Sequence, residues 1–324
     1  MATLDTILQP IADDMARYDA LFAEAMQHSE NALLDAALRH IAQRKGKRMR
    51  PVLVLLSARL HGRVNEAVLQ AALALELLHT ATLVHDDVAD ASDRRRGQKS
   101  VNALIGNEAA VLVGDYLVSK ALQAATLTDS LDFVRSVSRM GQFLADGELL
   151  QIAVRDLETF EETSYYEVIS KKTAALFATC AQSGALLGGG SADDAERMRQ
   201  FGKLLGMCFQ LRDDIFDFMR VDVGKPAGHD MTEGKLTLPV LYALRKTQDE
   251  KMKELALAVR RGEATAEDVA TLVQFTTEQG GLEYAQWAMD EFRMMTAGLI
   301  REDGPADIAQ ALGEYVDFVA ERLI

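Results

Sequence analysis

Helical periodicity runs through nearly the whole chain and constrains its fold more than any other feature. Residues 65–91 contain neither proline nor glycine, and their apolar side chains recur every three or four positions. Similar runs occupy residues 50–60, 101–126, 131–157, 164–187, 192–219 and 236–246. The 324 residues include only five prolines, 48% are apolar, and alternating strand patterns with hairpin turns are absent. The sequence therefore predicts an all-α fold, with ten or more helices packed in one domain that covers residues 1–324.

Capping-box spacing marks the start of three of these helices. In a capping box, a hydroxyl residue and an acidic residue three positions later each accept a hydrogen bond from the other's backbone N–H. The pairs with this spacing are Ser164 and Glu167, Ser191 and Asp194, and Thr265 and Asp268. Each pair predicts a helix that begins directly after its hydroxyl residue.

The composition excludes several classes of function. The net charge of −14 argues against general nucleic-acid binding and against electrostatic attraction to anionic membranes. No window approaches about 20 uninterrupted apolar residues, so no integral membrane segment is expected. The N-terminus lacks the apolar region of a signal peptide, which predicts a cytoplasmic protein. Cys180 and Cys208 lie in apolar helical patterns and are expected to be buried core residues.

Two acidic motifs with the same spacing end long apolar helical runs. Each places three aspartates at positions i, i+1 and i+4, within about 100° of arc on one helix face. The motifs are DDVAD, with Asp86, Asp87 and Asp90, and DDIFD, with Asp213, Asp214 and Asp217. A solvated acidic helix end would explain either motif alone, but the repeated spacing favours a site for a hard divalent cation. Mg²⁺ fits such oxygen ligands, and neither motif has the loop of an EF-hand.

A cluster of arginines follows the first motif. Residues 84–97 contain four aspartates and the three consecutive arginines Arg94, Arg95 and Arg96. These charges either neutralise one another or share a third group. If the aspartates hold a metal and the arginines bind oxygens bidentately, the third group is a diphosphate. Further basic residues occur in 46–51, 171–172 and 224–235, although the GxxxxGK[ST] pattern of a P-loop is missing.

These motifs resemble the all-trans polyprenyl diphosphate synthases, a family of isoprenyl transferases. The resemblance rests on GKRMRP, ELLHTATLVHDDVADASDRRRG, VGDYL, GELLQ, SKKTAALF, FQLRDDIFD and GHDMTEGKLTLP, which cover most of the chain in the family's order. It implies a helical bundle around a deep central cavity, a homodimer, and three Mg²⁺ in each active site. It also implies the reaction. Mg²⁺ assists ionisation of an allylic diphosphate, isopentenyl diphosphate attacks the cation, and loss of a proton gives a longer trans-polyprenyl diphosphate.

The resemblance also implies roles for individual residues at the family's motif positions. The implied metal ligands are Asp86, Asp87, Asp90, Asp213, Asp214 and Asp217, which are also catalytic together with Lys172 and Lys235. The implied contacts of the allylic diphosphate are Arg95, Lys172, Lys225 and Lys235. Those of isopentenyl diphosphate are Lys47, Arg50, His79 and Arg96. Thr173 and Gln210 are implied to line the reaction centre, and His85 is left without a role.

Product length is expected to depend on the residues below the first motif. In this family, bulky aromatic residues four and five positions before that motif stop chain growth early, whereas Thr82 and Ala81 are small here. Leu78 follows below them, and Ala121 and Ala124 are small residues on a later helix. The alanines could equally allow two helices to pack closely. The pattern nevertheless favours a long-chain, octaprenyl-class product that supplies a quinone side chain.

Other interpretations stay open. One is a short-chain farnesyl or geranylgeranyl diphosphate synthase. Terpene cyclases of the same fold usually keep one DDxxD motif and bind one diphosphate, so the second motif and the extra basic cluster favour condensation of two substrates. A non-catalytic partner subunit of a heteromeric synthase tends to lose motif residues, and none is lost here. A peripheral membrane contact for product release is also left open.

Overall fold

Helices form almost all of the structure, which confirms the all-α prediction. The computed structural model describes residues 3–27, 30–43, 46–95, 97–219, 227–300 and 304–321. The α-helices of these residues are α1 Leu4–Leu8, α2 Ala12–Ala25, α3 Ala32–Ala42, α4 Met49–His61, α5 Glu66–Ala89, α6 Val101–Ile105, α7 Asn107–Thr126, α8 Leu131–Arg155, α9 Glu162–Ile169, α10 Ala175–Gly188, α11 Ala192–Phe218, α12 His229–Thr232, α13 Leu238–Thr247, α14 Glu250–Arg260, α15 Ala266–Glu278, α16 Gly281–Ala297 and α17 Ala306–Glu321. A 3₁₀ turn at Gln9–Ile11 joins α1 to α2, and a π-helical segment at Ser170–Ala174 joins α9 to α10.

One small hairpin interrupts the helices. Strand β1 (Arg94–Arg95) pairs antiparallel with β2 (Gln98–Lys99), and Gly97 turns the chain between them with a φ of +77°. Strands of two residues are too short to show an alternating pattern, so the sequence did not predict this hairpin. It lies directly after α5 and folds the arginine cluster back toward the end of that helix.

The centre of the fold is built from α4, α5, α10 and α11. Helix α10 packs against both α4 and α11, while α5 packs against α4, α7 and α10. Their facing side chains are fully buried, as at Leu53, Leu75 and Phe177. The outer helices α16 and α17 cover α11. This arrangement holds α5 and α11, the two helices that carry the aspartate motifs, in the interior of one bundle.

Two of the three predicted capping boxes are confirmed. Ser191 and Thr265 each cap a helix reciprocally with the acidic residue three positions later. The prediction at Ser164 is wrong, because α9 already begins at Glu162 and Ser164 lies inside its first turn. The run predicted for 101–126 is also divided, since Gly106 adopts a φ of +86° between α6 and α7. Cys180 and Cys208 are buried thiols, and burial raises the pKa of Cys180 to about 12.

Helix α5 is long and apolar enough to cross a membrane by length and composition alone. It has 24 residues, and its most apolar window has a mean hydropathy of 1.6. Within the bundle, 56% of that window is buried. Since α5 packs against α2, α4, α6, α7 and α10, we interpret its apolar character as that of a core helix.

Candidate active site

Both aspartate motifs lie at helix C-termini. Helix α5 ends at Ala89 with Asp90 as its C-cap, and α11 ends at Phe218, one residue after Asp217. The C-terminus of a helix carries a partial negative charge, so carboxylates there are unfavourable unless a cation is close. The two motifs therefore place negative charge where the backbone already disfavours it.

The two motifs meet at a large cavity of about 530 Å³. Asp87 from α5 and Asp213 from α11 both line it, although they are far apart in the sequence. Four basic residues or histidines predicted to bind diphosphates line the same cavity: Lys47, Arg50, His79 and Arg95. Arg96, predicted with them, lies outside the described residues. The cavity thus brings carboxylates from both motifs together with most of the cations predicted to bind isopentenyl diphosphate.

The start of α4 presents the first basic cluster to the large cavity. Arg48 is the N-cap with a left-handed φ of +49°, and its side chain makes no capping hydrogen bond. The Lys47 ammonium lies 5.5 Å from the ring centroid of Phe318, and the Arg50 guanidinium lies 5.3 Å from that of Phe177. Helix N-termini favour anions through their N–H groups and dipole, so this location suits a phosphate.

Asp87 is compensated by an arginine of the hairpin. The Arg95 Nε lies 2.6 Å from Asp87 Oδ1, and the aspartate side chain is only 2% exposed. The opposite charges of residues 84–97 therefore neutralise each other in part. Because a guanidinium has five N–H donors, this pair leaves Arg95 further donors for a bound anion.

Asp86 points toward α8 and the π-helical segment. Burial, followed by the charge of Glu148, raises the pKa of Asp86 to about 6, while Lys172 and Arg95 act in the opposite direction. The Lys172 Nζ lies 2.5 Å from Glu148 Oε1 and 3.5 Å from Gln151 Oε1. Glu148 and Gln151 belong to the GELLQ motif, and the sequence did not assign them to the site.

A glycine allows α8 to approach the π-helical segment. A Cβ added at Gly147 would lie 3.0 Å from the Lys172 backbone nitrogen. Single turns of π-helix inside α-helices frequently occur at functional sites. Here the segment contains Lys172 and Thr173, two residues that the sequence placed in the site.

Asp214 is held in a buried chain of hydrogen bonds. Thr173 Oγ1 donates to Gln210 Oε1 at 2.8 Å, and Gln210 Nε2 donates to Asp214 Oδ1 at 2.8 Å. The Tyr165 hydroxyl donates to Asp214 Oδ2 at 2.5 Å. Burial raises the pKa of Asp214 well above its usual range, and the charge of Asp230 adds to this. Tyr165 and Asp230 were not recognised from the sequence.

Asp217 organises the start of α12. Its carboxylate accepts the backbone N–H groups of His229 at 3.0 Å and Asp230 at 3.1 Å. Burial raises the pKa of Asp217, and these two hydrogen bonds lower it in part. Burial and then the charge of Asp217 raise the pKa of Asp230 to about 7. Asp230 thereby joins the second acidic cluster.

A small cavity of about 160 Å³ lies beside the second cluster. Five residues predicted for the site line it: Lys172, Thr173, Gln210, Asp214 and Lys235. The Lys235 Nζ lies 2.5 Å from Glu233 Oε2. Burial lowers the pKa of Lys235, but its hydrogen bond to Glu233 and nearby carboxylates, including Asp90 of the first motif, raise it overall. Lys225, predicted with Lys235, lies outside the described residues.

Comparison with known proteins identifies the family. A family model described as "Polyprenyl synthetase" matches residues 31–276. The chain belongs to the polyprenyl synthetase family. The octaprenyl diphosphate synthase of Escherichia coli (strain K12) is 38% identical over 262 residues, which cover 80% of each chain.

Solved structures agree with this assignment. The geranylgeranyl pyrophosphate synthase of Bacteroides thetaiotaomicron superposes with a TM-score of 0.87 and 41% identity, over 99% of this chain and 100% of that one. A polyprenyl synthase from Caulobacter crescentus, complexed with calcium and isoprenyl diphosphate, has a TM-score of 0.91 and 33% identity, over 99% and 98%. This polyprenyl synthetase is therefore a trans-prenyl diphosphate synthase that joins allylic and isopentenyl diphosphates.

The carboxylates of this polyprenyl synthetase fit a hard divalent ion that shares its ligands with a substrate. In the part of the chain that the structure describes, no three histidine, cysteine or acidic side chains converge as a metal site of their own. Mg²⁺ commonly takes one or two carboxylates and completes its shell with phosphate oxygens and water. The family is generally Mg-dependent, which agrees with the all-oxygen donors and with the raised pKa of Asp86.

The residues predicted to control chain length lie on α5 but do not line either cavity. Ala81 is fully buried, Leu78 is 8% exposed, and none of Leu78, Ala81 and Thr82 is among the lining residues of either cavity. Thr82 is half-buried, and its hydroxyl donates to the His79 carbonyl at 2.8 Å. Ala121 of α7 is also buried, and α7 packs directly on α5.

His85 has a packing role in this polyprenyl synthetase. Its Nε2 donates to the Val111 carbonyl of α7 at 3.1 Å and lies 3.5 Å from Asp115 Oδ1. A Cβ added at Gly114 would lie 2.1 Å from the same nitrogen. Gly114, in the VGDYL motif, therefore leaves room for the imidazole that directly precedes Asp86.

Proposed function

We propose that this synthase binds isopentenyl diphosphate in the large cavity and the allylic diphosphate beside the two acidic motifs, where Asp213 lines the large cavity and Lys172 and Lys235 line the small one. The observation that carries the proposal is that Asp87 and Asp213, from two different helices, line one cavity with Lys47, Arg50 and His79. Lys47, Arg50 and His79, with Arg96, hold isopentenyl diphosphate. Arg95, Lys172, Lys225 and Lys235 hold the allylic diphosphate beside the two acidic motifs.

Three Mg²⁺ per active site would be held by the aspartates of the two motifs, namely Asp86, Asp87, Asp90, Asp213, Asp214 and Asp217. When bound, these ions supply Lewis-acid stabilisation of the charge that develops on the leaving diphosphate. Asp213 faces the large cavity. Besides their proposed place among the ligands, Asp214 and Asp217 accept hydrogen bonds from Tyr165 and from the start of α12, and so position α11 and α12 around the ions.

The protein's own side chains prepare the bond cleavage. Lys172 and Lys235 face the diphosphate and compensate its charge as the allylic carbon–oxygen bond breaks. The Thr173 and Gln210 dipoles lie beside the small cavity and orient the reacting end. The isopentenyl double bond attacks the allylic cation, and the proton lost from the new chain passes to the diphosphate. Apolar residues of the large cavity, such as Phe209 and Phe216, exclude water that would quench the cation.

Replacement of one carboxylate tests the site. Asp213→Asn should lower kcat by about 100-fold or more, since loss of one electrostatic group at a reacting centre commonly has this effect. Asp193→Asn is the matched control, because Asp193 is an exposed aspartate in the first turn of the same helix. Circular dichroism would verify that both variants fold. An Asp213→Asn enzyme with kcat within threefold of the control would refute the proposed site.

We also propose a long-chain, octaprenyl-class product that serves as a quinone side-chain precursor. Small Ala81 and Thr82 support this product, as does the 38% identity to an octaprenyl diphosphate synthase. The identity of 41% to a geranylgeranyl pyrophosphate synthase keeps a short-chain product as the alternative. Incubation of the purified chain with farnesyl and isopentenyl diphosphates and Mg²⁺, followed by chromatography, decides between them.

A substitution at Ala81 extends this test. Ala81→Phe should shorten the product, whereas Ala81→Ser, which keeps a small side chain, should leave the length unchanged. A wild-type product of farnesyl or geranylgeranyl size would refute the long-chain proposal. A complete lack of turnover by the purified chain would instead favour a partner subunit of a heteromeric synthase.

The exposed apolar surface of α7 and α8 supports a homodimer. Leu112 on α7 is 63% exposed, and Leu149 and Ile152 on α8 are 66% and 55% exposed. Large exposed apolar patches commonly mark protein interfaces. We propose that a second copy of the chain covers this surface, in a cytoplasmic protein whose residues 1–324 form one domain. Analytical ultracentrifugation tests the homodimer. A dimeric wild type and a monomeric Leu149→Glu variant would support it, whereas a monomeric wild type would contradict it.

A further inference from the structure

Arg260 is a buried cation that has no carboxylate partner among the described residues. It is the last residue of α14, and only 6% of it is exposed. Its Nη1 donates to the carbonyl of Leu157 and, at 2.7 Å, to that of Thr159. The guanidinium also lies 4.8 Å from the ring centroid of Phe160. In the described part of the chain, no acidic group forms an ion pair with it.

The charge of Arg260 therefore needs compensation from elsewhere. A guanidinium stays protonated in proteins, and a buried charge is costly unless it is paired. Two backbone carbonyls and a ring face compensate it only in part. Burial lowers the pKa of Arg260, in agreement with the absence of an ion pair to it among the described residues. Among the described residues, its Nε and Nη2 make no hydrogen bond, so these donors are available.

A second arginine faces the same space. Arg155, the last residue of α8, lines the small cavity together with Arg260. Its Nη2 donates to the Glu233 carbonyl at 3.3 Å, while its Nε is buried and has no hydrogen-bond partner within the described residues. Two guanidinium groups with unused donors thus converge on one cavity from the C-terminal ends of two helices.

The other charged residues that line the small cavity are two lysines and three acidic residues, and none of the five forms an ion pair with either arginine in the described structure. Lys172 and Lys235 form ion pairs with Glu148 and Glu233. Three carboxyl groups also line the cavity, those of Glu161, Asp214 and Asp230, and no ion pair joins any of them to Arg155 or Arg260 in the described structure. Neither arginine is among the residues proposed above to hold a substrate or a metal ion.

We infer that the small cavity contains a second oxyanion-binding site, in which Arg155 and Arg260 bind a phosphate-class anion. A volume of about 160 Å³ exceeds that of several waters, each of which occupies about 30 Å³ in the liquid. Planar guanidinium groups match phosphate oxygens bidentately. The anion lies against Gly234 and Leu236, the neighbours of Lys235, and steadies this segment of the active site. Its source is either free phosphate or the diphosphate that the reaction releases.

Calorimetric titration with inorganic phosphate and, separately, with inorganic diphosphate tests this site, without Mg²⁺ or substrates. Arg260→Gln and Arg155→Gln should each weaken binding at least tenfold. Arg199→Gln, an exposed arginine of α11 paired with Glu196, should bind like the wild type. Lys47→Gln, in the large cavity, should also retain this binding event. Tighter binding of phosphate or of diphosphate identifies the source.

Unchanged binding of both anions by Arg260→Gln and Arg155→Gln, or no binding by the wild type, would overturn the inference. If Arg260→Gln does not fold, Arg155→Gln decides alone, because it approaches the cavity from α8. The titration requires no turnover. Because Arg155 and Arg260 have no proposed substrate role, the effect of their variants is distinguishable from a failure of the substrate roles proposed for Lys47, Lys172 and Lys235.

Discussion

The contact between Gly114 and His85 makes a sharp prediction about the junction of α5 and α7. In Gly114→Ala, the new Cβ would lie 2.1 Å from His85 Nε2 and 2.4 Å from Cδ2, far inside van der Waals contact. The imidazole must therefore leave its place and lose its hydrogen bond to the Val111 carbonyl. Because His85 directly precedes Asp86 and Asp87, its displacement should also lower activity.

The expected energies follow from opposing effects. Replacing glycine by alanine inside a helix stabilises the folded state by about 1 kcal/mol. Forcing a side chain out of a packed site costs about 1–3 kcal/mol. Gly114→Ala should therefore lower the free energy of unfolding by about 1 kcal/mol. In the background of His85→Ala, where no ring is present, the same substitution should raise it by about 1 kcal/mol.

Urea denaturation of the four proteins in this double-mutant cycle measures the coupling, which we expect to be about 1–3 kcal/mol. Gly141→Ala is a matched control, because a Cβ at this α8 position would have no atom within 4 Å. The control should be as stable as the wild type or up to about 1 kcal/mol more stable. A Gly114→Ala protein as stable as the control, or a coupling near zero, would refute the steric argument.

Two further predictions concern hydrogen bonds. Tyr165→Phe should lower the free energy of unfolding by about 1–3 kcal/mol, because it leaves the buried Asp214 carboxyl with one hydrogen-bond donor fewer. Urea denaturation measures this; a free energy of unfolding within about 0.5 kcal/mol of the wild-type value would contradict the prediction. Ser191→Ala should lower the free energy of unfolding by about 0.5–2 kcal/mol, because it removes the capping box of α11. Ser164→Ala should change it very little, because Ser164 lies inside the first turn of α9 and does not cap it. Equal thermal stabilities of the two variants would count against this assignment of the caps.

The sequence predicted the features that depend on periodicity and local chemistry. Most of the helical runs, the capping boxes at Ser191 and Thr265, and the location of both aspartate motifs at helix ends were correct, although Gly106 divides the run at 101–126 into α6 and α7. A 3.6-residue pattern and a hydroxyl followed by a carboxyl are local signals, and tertiary packing did not override them at these positions. At Ser164 the local signal failed, because α9 begins two residues earlier.

The sequence could not predict features that depend on contacts between distant segments. Glu148 approaches Asp86 of α5, and Tyr165 and Asp230 approach the aspartates of α11, only because the tertiary fold brings α8, α9 and α12 to them, and none of these residues lies in an acidic run. Likewise, spacing alone did not decide whether the arginines after the first motif would bind the aspartates or a shared anion. The Arg95–Asp87 ion pair answers this for one of them. The extent of the single domain and the roles of the substrate-binding residues stay predictions.

The π-helical segment at Ser170–Ala174 carries a consequence for protein engineering. It sets the rotational phase between α9, which aims Tyr165 at Asp214, and α10, which packs into the core. Deleting one residue from this segment would let α9 and α10 join as a more regular α-helix, but it would remove the wide turn that contains Lys172 and Thr173. At residues 170–174, a substitution or deletion that makes the backbone more regular is therefore expected to lower activity.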